Sequence, residues 1–394
     1  MILSKEAIAR KMDIENPNVF VGSNSRIRTV NDLLDYYVDV HGSLNWSLST
    51  YSDSIGLMCN YIRPHIGDVE LRRLNKRFIS GYFRKLHTVA RVPNKYRPKD
   101  NGPIGRTTIE EVYKLLRSVF QQAIHWELMN ENPTLHIQVV KPRCYPKRML
   151  TTDQILMVLN ESIQRGDYAL ALLIQFAFVC SMRKGEILGL HWSDINLEEG
   201  CLQVNQELSR VSVEALEKLN YKGVYHVFQP YRAKSKSRVV LKAPKTYSSI
   251  RTIYLPQSFD HFLTQWKELQ HKQKVLLGEG YEDNDLVVAS DIGRPFCPKK
   301  ATDLFTDIVV KMGLPKVHFH SLRYSSTSYK LILSRGDIKA VQGDNGHSQP
   351  NMVLSVYAQL QDSQRIKLAQ GLNDDFCSKI QTYYGDPNMV LAKS

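Results

Sequence analysis

The chain has 394 residues, enough for about two to three domains of ordinary size. Hydrophobic residues make up 43% of it and charged residues 23%, which excludes a disordered or fibrous protein. Lysine and arginine total 52 against 39 acidic residues, a formal net charge of +13. An excess of this size favours an anionic partner, nucleic acid first and a membrane surface second.

The six cysteines are far apart, and none forms a Cys-x-x-Cys pair. This spacing predicts reduced, buried thiols in a cytoplasmic protein and argues against a structural zinc site. The N-terminal residues mix charges early and lack the apolar stretch of a signal peptide. The most apolar segment, residues 169–180, is too short to cross a bilayer. We therefore expect a cytoplasmic protein with no metal, no cofactor and no membrane partner.

Helical spacing of apolar residues extends over residues 28–137 and predicts a small all-α domain of four helices. The second helix is expected to end at Pro64, because proline lacks the N–H that a helix interior needs. Thr107 or Thr108 is expected to cap the fourth helix. Residues 1–27, mixed in composition, predict a loosely tied N-terminal segment.

Two basic segments interrupt this pattern. Residues 90–106, between the third and fourth helices, carry five basic residues and one acidic residue. Residues 138–148 carry four basic residues and no acid, and they predict a linker to a second domain. Composition alone also allows an ordinary polar linker. For the first segment we predict phosphate contacts by four side chains: Lys95, Arg97, Lys99 and Arg106.

Residues 149–375 predict a second domain of class α+β, mainly helical, with a small antiparallel sheet. Residues 168–180 are expected to form a buried helix, and strands are expected over 201–208, 239–243 and 249–255. Residues 376–394 are expected to form a C-terminal tail. Between positions 218 and 259 the chain has nine basic residues and no acidic one, which favours contact with an anion.

Five short motifs of the second domain follow one another in a fixed order. They are S-M-R-K-G-E with Arg183, K-T-Y-S-S-I-R with Lys245, H-S-L-R with His320 and Arg323, G-H-S with His347, and Tyr357 ten residues after that histidine. Their order and spacing resemble those of the tyrosine recombinases, the integrases of phages and conjugative transposons. The resemblance covers about residues 28–375.

The resemblance implies a core-binding domain with a SAM-like four-helix fold over 28–137 and a catalytic domain over 149–375. It also implies a site-specific recombinase that cuts and rejoins double-stranded DNA through a 3′-phosphotyrosine intermediate. Such an enzyme acts as a homo-tetramer on two duplexes, and DNA-bending accessory proteins are further candidate partners. Residues 1–27 are too short for the complete arm-binding domain that many such integrases carry.

The resemblance also implies roles for the motif residues, and their chemistry suits these roles. Arg183 and Arg323 would clamp the phosphoryl oxygens, because guanidinium groups are planar, bidentate and always protonated. Lys245 would give a proton to the leaving 5′-oxygen. Lys242 is an alternative for that role, and the K-T-x-x-S-x-R match favours Lys245. Glu186 is expected to support the site by pairing with a neighbouring basic group.

The remaining motif residues would complete the reaction. His347 would donate a hydrogen bond to the phosphate, His320 would help to remove the tyrosine proton, and Tyr357 would be the nucleophile. By helical spacing alone, Tyr357 would be interpreted as a core aromatic residue. His318 and His320 form an H-x-H pair, but no third ligand stands nearby, so we expect no metal there.

Two alternative functions stay open. The first is a catalytically weak or inactive DNA-binding, architectural member of the same family, because Asn345 stands where the family usually has an apolar residue. The second is a type IB topoisomerase, against which the core-binding domain and the chain length argue. Residues 206–242 are expected to form a β-hairpin that reaches along DNA, with phosphate contacts by Arg232, Lys234, Lys236 and Arg238.

Overall fold

The computed structural model describes residues 27–92, 102–140, 148–230 and 232–346, together with positions 354 and 370–372. The chain forms two compact units. The first contains the chain up to Cys144, and also Val211–Lys222 and Lys234–Ser237; the second contains the remainder. Most of the N-terminal segment, the centre of the predicted linker and the C-terminal tail lie outside the described residues.

Up to residue 140, the described part of the first unit contains four helices. Helix α1 spans Val30–Tyr36 and continues through a π-helical stretch, Tyr37–Gly42, into Ser43–Asn45; helix α2 spans Leu48–Leu57 and continues through a π-helical stretch, Met58–Ile62, into Arg63–Ile66; helix α3 spans Lys76–Leu86; and helix α4 spans Arg106–His125. A short 3₁₀ turn, Leu71–Arg73, precedes α3. This is the all-α domain that the sequence predicts.

Side-chain caps explain where three of these helices begin. Thr29 forms a capping box with Asp32 at the start of α1, and Ser47 and Asn75 cap α2 and α3. The predicted cap of α4 is wrong. Gly105, in extended conformation, occupies the cap position of α4, so Thr107 and Thr108 lie inside the first turn.

The predicted end of the second helix is also wrong. Pro64 lies within the final segment, Arg63–Ile66, and the helix passes through it. The π-helical stretch Met58–Ile62 comes directly before, and the N–H of Arg63 donates to the carbonyl of Met58, five residues back. This wider turn changes the hydrogen-bond pattern next to the proline, whose missing N–H would otherwise break an α-helix.

Part of the predicted hairpin belongs to the first unit. Ser212 caps a short helix, α8 (Val213–Lys218), whose Leu216 is only 1% exposed. The Tyr51 hydroxyl donates to the Glu214 carboxylate at 3.2 Å, and the Ser52 and Ser212 hydroxyls lie 3.1 Å apart. Residues 206–242 therefore contain a strand, Glu207–Ser212, this helix, and two further strands, Val224–Val227 and Ser237–Lys242, that pair antiparallel. The expected hairpin is present, but it forms only the second half of the segment.

The second unit combines helices with two small antiparallel sheets. Its helices are α5 Thr152–Gln164, α6 Tyr168–Val179, α7 Lys184–Leu188, α9 Gln257–Leu277, α10 Pro298–Lys311, α11 Ser321–Leu333 and α12 Ile338–Asn345. The strands are β1 Ile195–Asn196, β2 Cys201–Val204, β3 Glu207–Ser212, β4 Val224–Val227, β5 Ser237–Lys242 and β6 Arg251–Tyr254. One sheet has the order β1-β2-β6 and the other β3-β5-β4, where the sequence predicts a single sheet.

The second unit is built around helix α6. Its side chains are buried almost all round, which explains the apolar segment of the sequence, and Phe176 packs edge-on against Phe259 of α9 with ring centroids 5.0 Å apart. The predicted buried helix is therefore confirmed. In the described part of the chain, no helix is both long and apolar enough to span a membrane.

Candidate active site

Arg183 begins helix α7. Its backbone is extended, and its N–H donates to the Glu186 carboxylate at 2.9 Å, as an N-cap arrangement requires. Its guanidinium Nη1 also donates to Glu186, at 2.6 Å. Glu186, three residues after Arg183 in the R-K-G-E motif, therefore binds both the backbone and the side chain of that arginine. The arginine side chain is held at the start of the helix and is 33% exposed.

Glu186 is the buried centre of a cluster of charges. Its side chain is 1% exposed, and its carboxylate pairs with Arg183, with Arg251 at 3.1 Å and with Arg323 at 4.0 Å. Burial alone would raise the pKa of Glu186, but the three guanidinium groups outweigh it, so the pKa lies below its ordinary value. The expectation that Glu186 pairs with a neighbouring basic group is met.

Arg323 lies on helix α11 and is almost completely buried, with 2% exposure. Its two terminal nitrogens donate to the carbonyls of Ser181 and Asn345. Burial, together with nearby Arg183 and Arg251, lowers the pKa of Arg323 to about 9, so the group stays protonated at neutral pH. Ser181 has a positive φ of 50°, a conformation that side chains rarely adopt and that occurs here at the Arg323 contact.

Arg251 is a member of the cluster that the sequence analysis did not single out. It is the last residue of the K-T-x-x-S-x-R motif and begins strand β6. Its guanidinium donates to the Ser249 carbonyl at 2.9 Å, to the Asp344 carbonyl at 2.9 Å and to Glu186. The motif contained this arginine, but only the structure brings it to Glu186.

Lys245 lies on the turn between β5 and β6, and it is exposed. The turn is joined to the arginine cluster, because the Thr246 hydroxyl lies 2.9 Å from the Ser249 hydroxyl, which in turn lies 3.3 Å from Arg183 Nη1. Lys242, the alternative, is mostly buried and forms an ion pair with Glu207. Of these two lysines, Lys245 is therefore the one that is exposed and Lys242 the one held in an ion pair.

Three predicted catalytic residues remain: His320, His347 and Tyr357. His320 precedes helix α11, three residues before Arg323; it is exposed, and its ring packs edge-on against Tyr324 with centroids 4.9 Å apart. His347 and Tyr357 lie outside the described residues. Of the six predicted catalytic residues, the described site thus brings Arg183 and Arg323 together around Glu186.

The predicted DNA contacts also include residues inside and outside the described part of the chain. Lys95, Arg97 and Lys99 lie outside the described residues; Arg106, Arg232, Lys234 and Lys236 are exposed, and Arg238 is partly buried. The sequence analysis did not single out helix α3. This helix has no acidic residue and exposes four basic side chains: Lys76, Arg77, Arg84 and Lys85. In the sequence, this basic face is indicated by the amphipathic spacing of residues 76–86 and by the absence of acidic residues among them.

The cluster has a surplus of positive charge. Three guanidinium groups surround one carboxylate, and the partly exposed Arg183 gives the cluster a face towards solvent. Such a site can bind a phosphate group through planar, bidentate donors. No group of three or more His, Cys, Asp or Glu side chains suited to a metal occurs within the described parts of the chain.

The second unit thus combines a mainly helical α+β fold with an arginine cluster, and this combination indicates a class of protein that binds phosphate esters. Residues 148–364 match the phage integrase family, and the chain belongs to that family. Its identification as a tyrosine recombinase of the integrase type, made from the five motifs, is confirmed.

Similar proteins share the family at low sequence identity. A "Tyrosine recombinase XerC-like" protein of Caldanaerobacter subterraneus is 24% identical over 277 residues, which is 68% of this chain and 66%, just under two thirds, of that protein. An "Integrase" of Saccharopolyspora erythraea is 21% identical over 400 residues, which is 93% of this chain and 86% of that protein. The "ICEBs1 integrase" of Bacillus subtilis is 20% identical over 276 residues, 69% of this chain and 66% of that protein.

Solved structures show the same fold. The Tn1549 transposon integrase, solved in complex with transposon right end DNA, aligns with a TM-score of 0.63 at 18% identity over 86% of this chain and 99% of that one. A lambda integrase tetramer bound to a Holliday junction aligns with a TM-score of 0.54 at 17% identity, over 91% of this chain and 85% of that one. The predicted fold class is therefore confirmed.

The buried carboxylate gives a test of the cluster. The Glu186→Gln change removes the negative charge and leaves three guanidinium groups uncompensated, so we expect the free energy of unfolding at pH 7 to fall by about 3–5 kcal/mol. Because the folded-state pKa of Glu186 lies below its ordinary value of 4.5, its stabilisation is present above that pH and is lost as the pH falls through the lower folded pKa.

Urea denaturation from pH 7 down to pH 3.5 measures this effect. The difference between wild type and variant is expected to shrink below pH 4.5. The exposed Glu198→Gln change, which removes the same charge at the surface, is the matched control and is expected to have little effect. A difference that stays constant with pH would mean that Glu186 acts through packing and not through its charge.

Proposed function

We propose that this protein is a site-specific DNA recombinase that cuts and rejoins DNA through a 3′-phosphotyrosine intermediate. The observation that carries the proposal is the joining of Arg183, Arg251 and Arg323 around the buried Glu186 in a chain of the phage integrase family. A phosphodiester gains negative charge as its phosphorus is attacked. Fixed guanidinium groups stabilise that charge best in the transition state.

The proposed step exchanges one phosphodiester for another. The Tyr357 oxygen attacks the phosphorus, its proton passes to His320, and the bond from phosphorus to the 5′-oxygen breaks. Lys245 gives a proton to the leaving 5′-oxygen, while His347 donates a hydrogen bond to the phosphate. The 5′-hydroxyl of another strand then attacks the phosphotyrosine and releases Tyr357. The bond energy is conserved throughout, so the reaction needs no nucleotide cofactor.

The charge distribution supports this division of roles. Arg183 and Arg323 are fixed by Glu186 and by backbone carbonyls, as a clamp must be. Lys245 is exposed on a turn joined to Arg183, whereas Lys242 is held by Glu207. The proposed clamp supplies positive charge without a metal ion, so we propose that strand cleavage is independent of divalent metals.

The partners follow from the same proposal. They are double-stranded DNA and three further copies of this chain, arranged as a tetramer on two duplexes; the lambda integrase tetramer on a Holliday junction is a structural relative in that state. DNA-bending accessory proteins are additional candidates. Because the DNA of a bacterial mobile element lies in the bacterial cytoplasm, we place the reaction there.

The second candidate function is a catalytically weak, architectural DNA-binding protein. Asn345 favours it, because this polar residue is fully buried next to the arginine cluster where the family usually has an apolar one. Covalent trapping on DNA separates the two candidates. A type IB topoisomerase would also form the covalent intermediate, but it would relax supercoiled DNA without a second DNA partner.

The nucleophile is tested by the Tyr357→Phe change. It removes one hydroxyl and keeps the aromatic ring, so we expect normal DNA binding and stability but no covalent adduct with a nicked suicide substrate on a denaturing gel. EDTA is present throughout, and wild-type adduct formation is expected to persist in it. Tyr329→Phe, on helix α11, is the matched control and is expected to keep the adduct. An adduct that survives in Tyr357→Phe would exclude that residue as the nucleophile.

The proton donor is tested with a substrate whose bridging 5′-oxygen is replaced by sulfur, which leaves without a proton. A positioned acid contributes about 10²–10⁴-fold to the rate. We expect Lys245→Ala to cut ordinary DNA more slowly by about that factor and the sulfur substrate almost as fast as wild type. Lys242→Ala, which breaks the ion pair with Glu207, is the control. Equal slowing on both substrates would show that Lys245 is not the acid.

The salt dependence of binding tests the predicted DNA contacts. Each neutralised phosphate contributes about −0.9 to the slope of log K against log salt. Changing Lys234, Lys236 and Arg238 together to Ala is therefore expected to reduce that slope by about two to three, as measured by fluorescence anisotropy. An unchanged slope would show that these residues do not touch phosphates.

The control is a second triple change at lysines that already have carboxylate partners. Lys274 pairs with Asp283, Lys299 with Asp303 and Lys311 with Asp307. Because these charges are compensated within the protein, changing all three lysines to Ala is expected to leave the slope unchanged. A similar reduction in both triple variants would indicate a general effect of net charge.

A further inference from the structure

The C-terminal end of helix α12 contacts every arginine of the cluster. The Asp344 carbonyl accepts from Arg251 Nε at 2.9 Å, the Asn345 carbonyl from Arg323 Nη2, and the Gly346 carbonyl from Arg183 Nη2 at 3.4 Å. The last carbonyls of a helix have no partner within it, and they carry the negative end of its dipole. Three successive carbonyls therefore hold three different guanidinium groups.

Asn345 differs from its two neighbours because its side chain also takes part. It is fully buried, and its Nδ2 donates to the Thr327 hydroxyl at 3.0 Å. That hydroxyl donates to the Arg323 carbonyl at 2.8 Å, one turn back on helix α11. Asn345 thus holds Arg323 at both ends, the guanidinium through its own carbonyl and the backbone through Thr327.

The other end of the Asn345 amide has no such partner. Its Oδ1 is buried and accepts no hydrogen bond from the residues that the structure describes. A buried acceptor in that state costs about 1–3 kcal/mol. An apolar residue would avoid that cost but would not reach Thr327. The arrangement therefore favours a role for the Nδ2 bond that is separate from folding stability.

We propose that Asn345 is a positioning residue for Arg323. By tying the guanidinium and the backbone of Arg323 to one residue, it fixes the direction of that arginine relative to Arg183, so that both address one phosphate. The consequence for strand cleavage rests on the proposed function. Ser181 and Glu186 hold the opposite side of Arg323, so loss of the Asn345 side chain is expected to weaken the clamp and not to abolish it.

Four variants isolate the contact. Asn345→Leu keeps the carbonyl and removes the side-chain bond; Thr327→Val removes the hydroxyl, and Thr327→Ser restores it. Thr306→Val is the matched control, because the Thr306 hydroxyl makes the same type of bond, to the Thr302 carbonyl at 2.7 Å, on helix α10. Asn345→Leu loses one hydrogen bond and one unsatisfied acceptor, so its melting temperature is expected to stay close to that of wild type.

The first measurement is the single-turnover rate of covalent adduct formation at saturating protein, compared with the dissociation constant for the same DNA. For Asn345→Leu and Thr327→Val we expect the rate to fall about 10- to 100-fold, with binding changed less than about twofold. The double variant is expected to lose no more than either single one, because both remove one linkage. Thr327→Ser and Thr306→Val are expected to keep the wild-type rate.

Two results of this measurement would overturn the proposal. One is wild-type cleavage by Asn345→Leu. The other is a double variant whose loss equals the product of the two single losses, which would show that Asn345 and Thr327 act independently.

The second measurement does not depend on cleavage. In protein labelled with ¹⁵N-arginine, the Nε–H signal of Arg323, assigned by its loss in Arg323→Lys, is expected to exchange slowly with water in wild type and in Thr306→Val. Faster exchange is expected in Asn345→Leu and in Thr327→Val. If wild type forms no adduct, the proposed function fails, while this signal still decides the positioning role. An unchanged Arg323 signal in Asn345→Leu would refute that role.

Discussion

The arrangement of the candidate site depends on one buried carboxylate. Three guanidinium groups within reach of one another repel, and each loses hydration on burial. Glu186, 1% exposed, supplies the only negative charge that the described residues place among them. It is fixed in turn by the first turn of α7, because the N–H of Arg183 donates to it. Helix capping and charge compensation are thus the same interaction.

Backbone carbonyls complete the site without neutralising it. Further donors of the three arginines are directed at the carbonyls of Ser181, Ser249 and residues 344–346. A carbonyl satisfies an N–H but carries only a partial charge, so most of the positive field of the cluster remains. A site completed by further carboxylates would be equally well hydrogen-bonded, yet it would repel a phosphate.

The sequence predicts the local parts of this structure and misses the parts that depend on backbone contacts. The pairing of Glu186 follows from its position in the R-K-G-E motif, and the buried helix α6 follows from its composition. Contacts to the carbonyls of Ser181 and Asn345 leave no such signal, because every residue has a carbonyl. The same limit applies to Pro64, where a π-helical turn accommodates a residue that the pattern reads as a helix end.

Long-range placement was the other source of error. Nothing local indicates that residues 211–222, which lie between strands of the second unit in sequence, contribute a helix to the first unit. A chain segment is placed by which partner buries its apolar face, and Leu216 finds that partner far away in sequence. This packed helix ends at Lys218, where the basic run begins, and within that run Lys234 and Lys236 are exposed.

The two lysines near the cluster differ in burial, a difference that the composition of the sequence does not reveal. Lys242 and Lys245 are three residues apart, and both lie in the acid-free run of the sequence. Strand β3 supplies Glu207 to Lys242, which fixes that ammonium group in an ion pair. The turn after β5 instead leaves Lys245 exposed beside residues that bond to Arg183. In the proposed reaction, fixed guanidinium groups bind the phosphate, whereas the proton donor must approach and leave the reacting oxygen. An ammonium on a flexible four-carbon stem suits that second task.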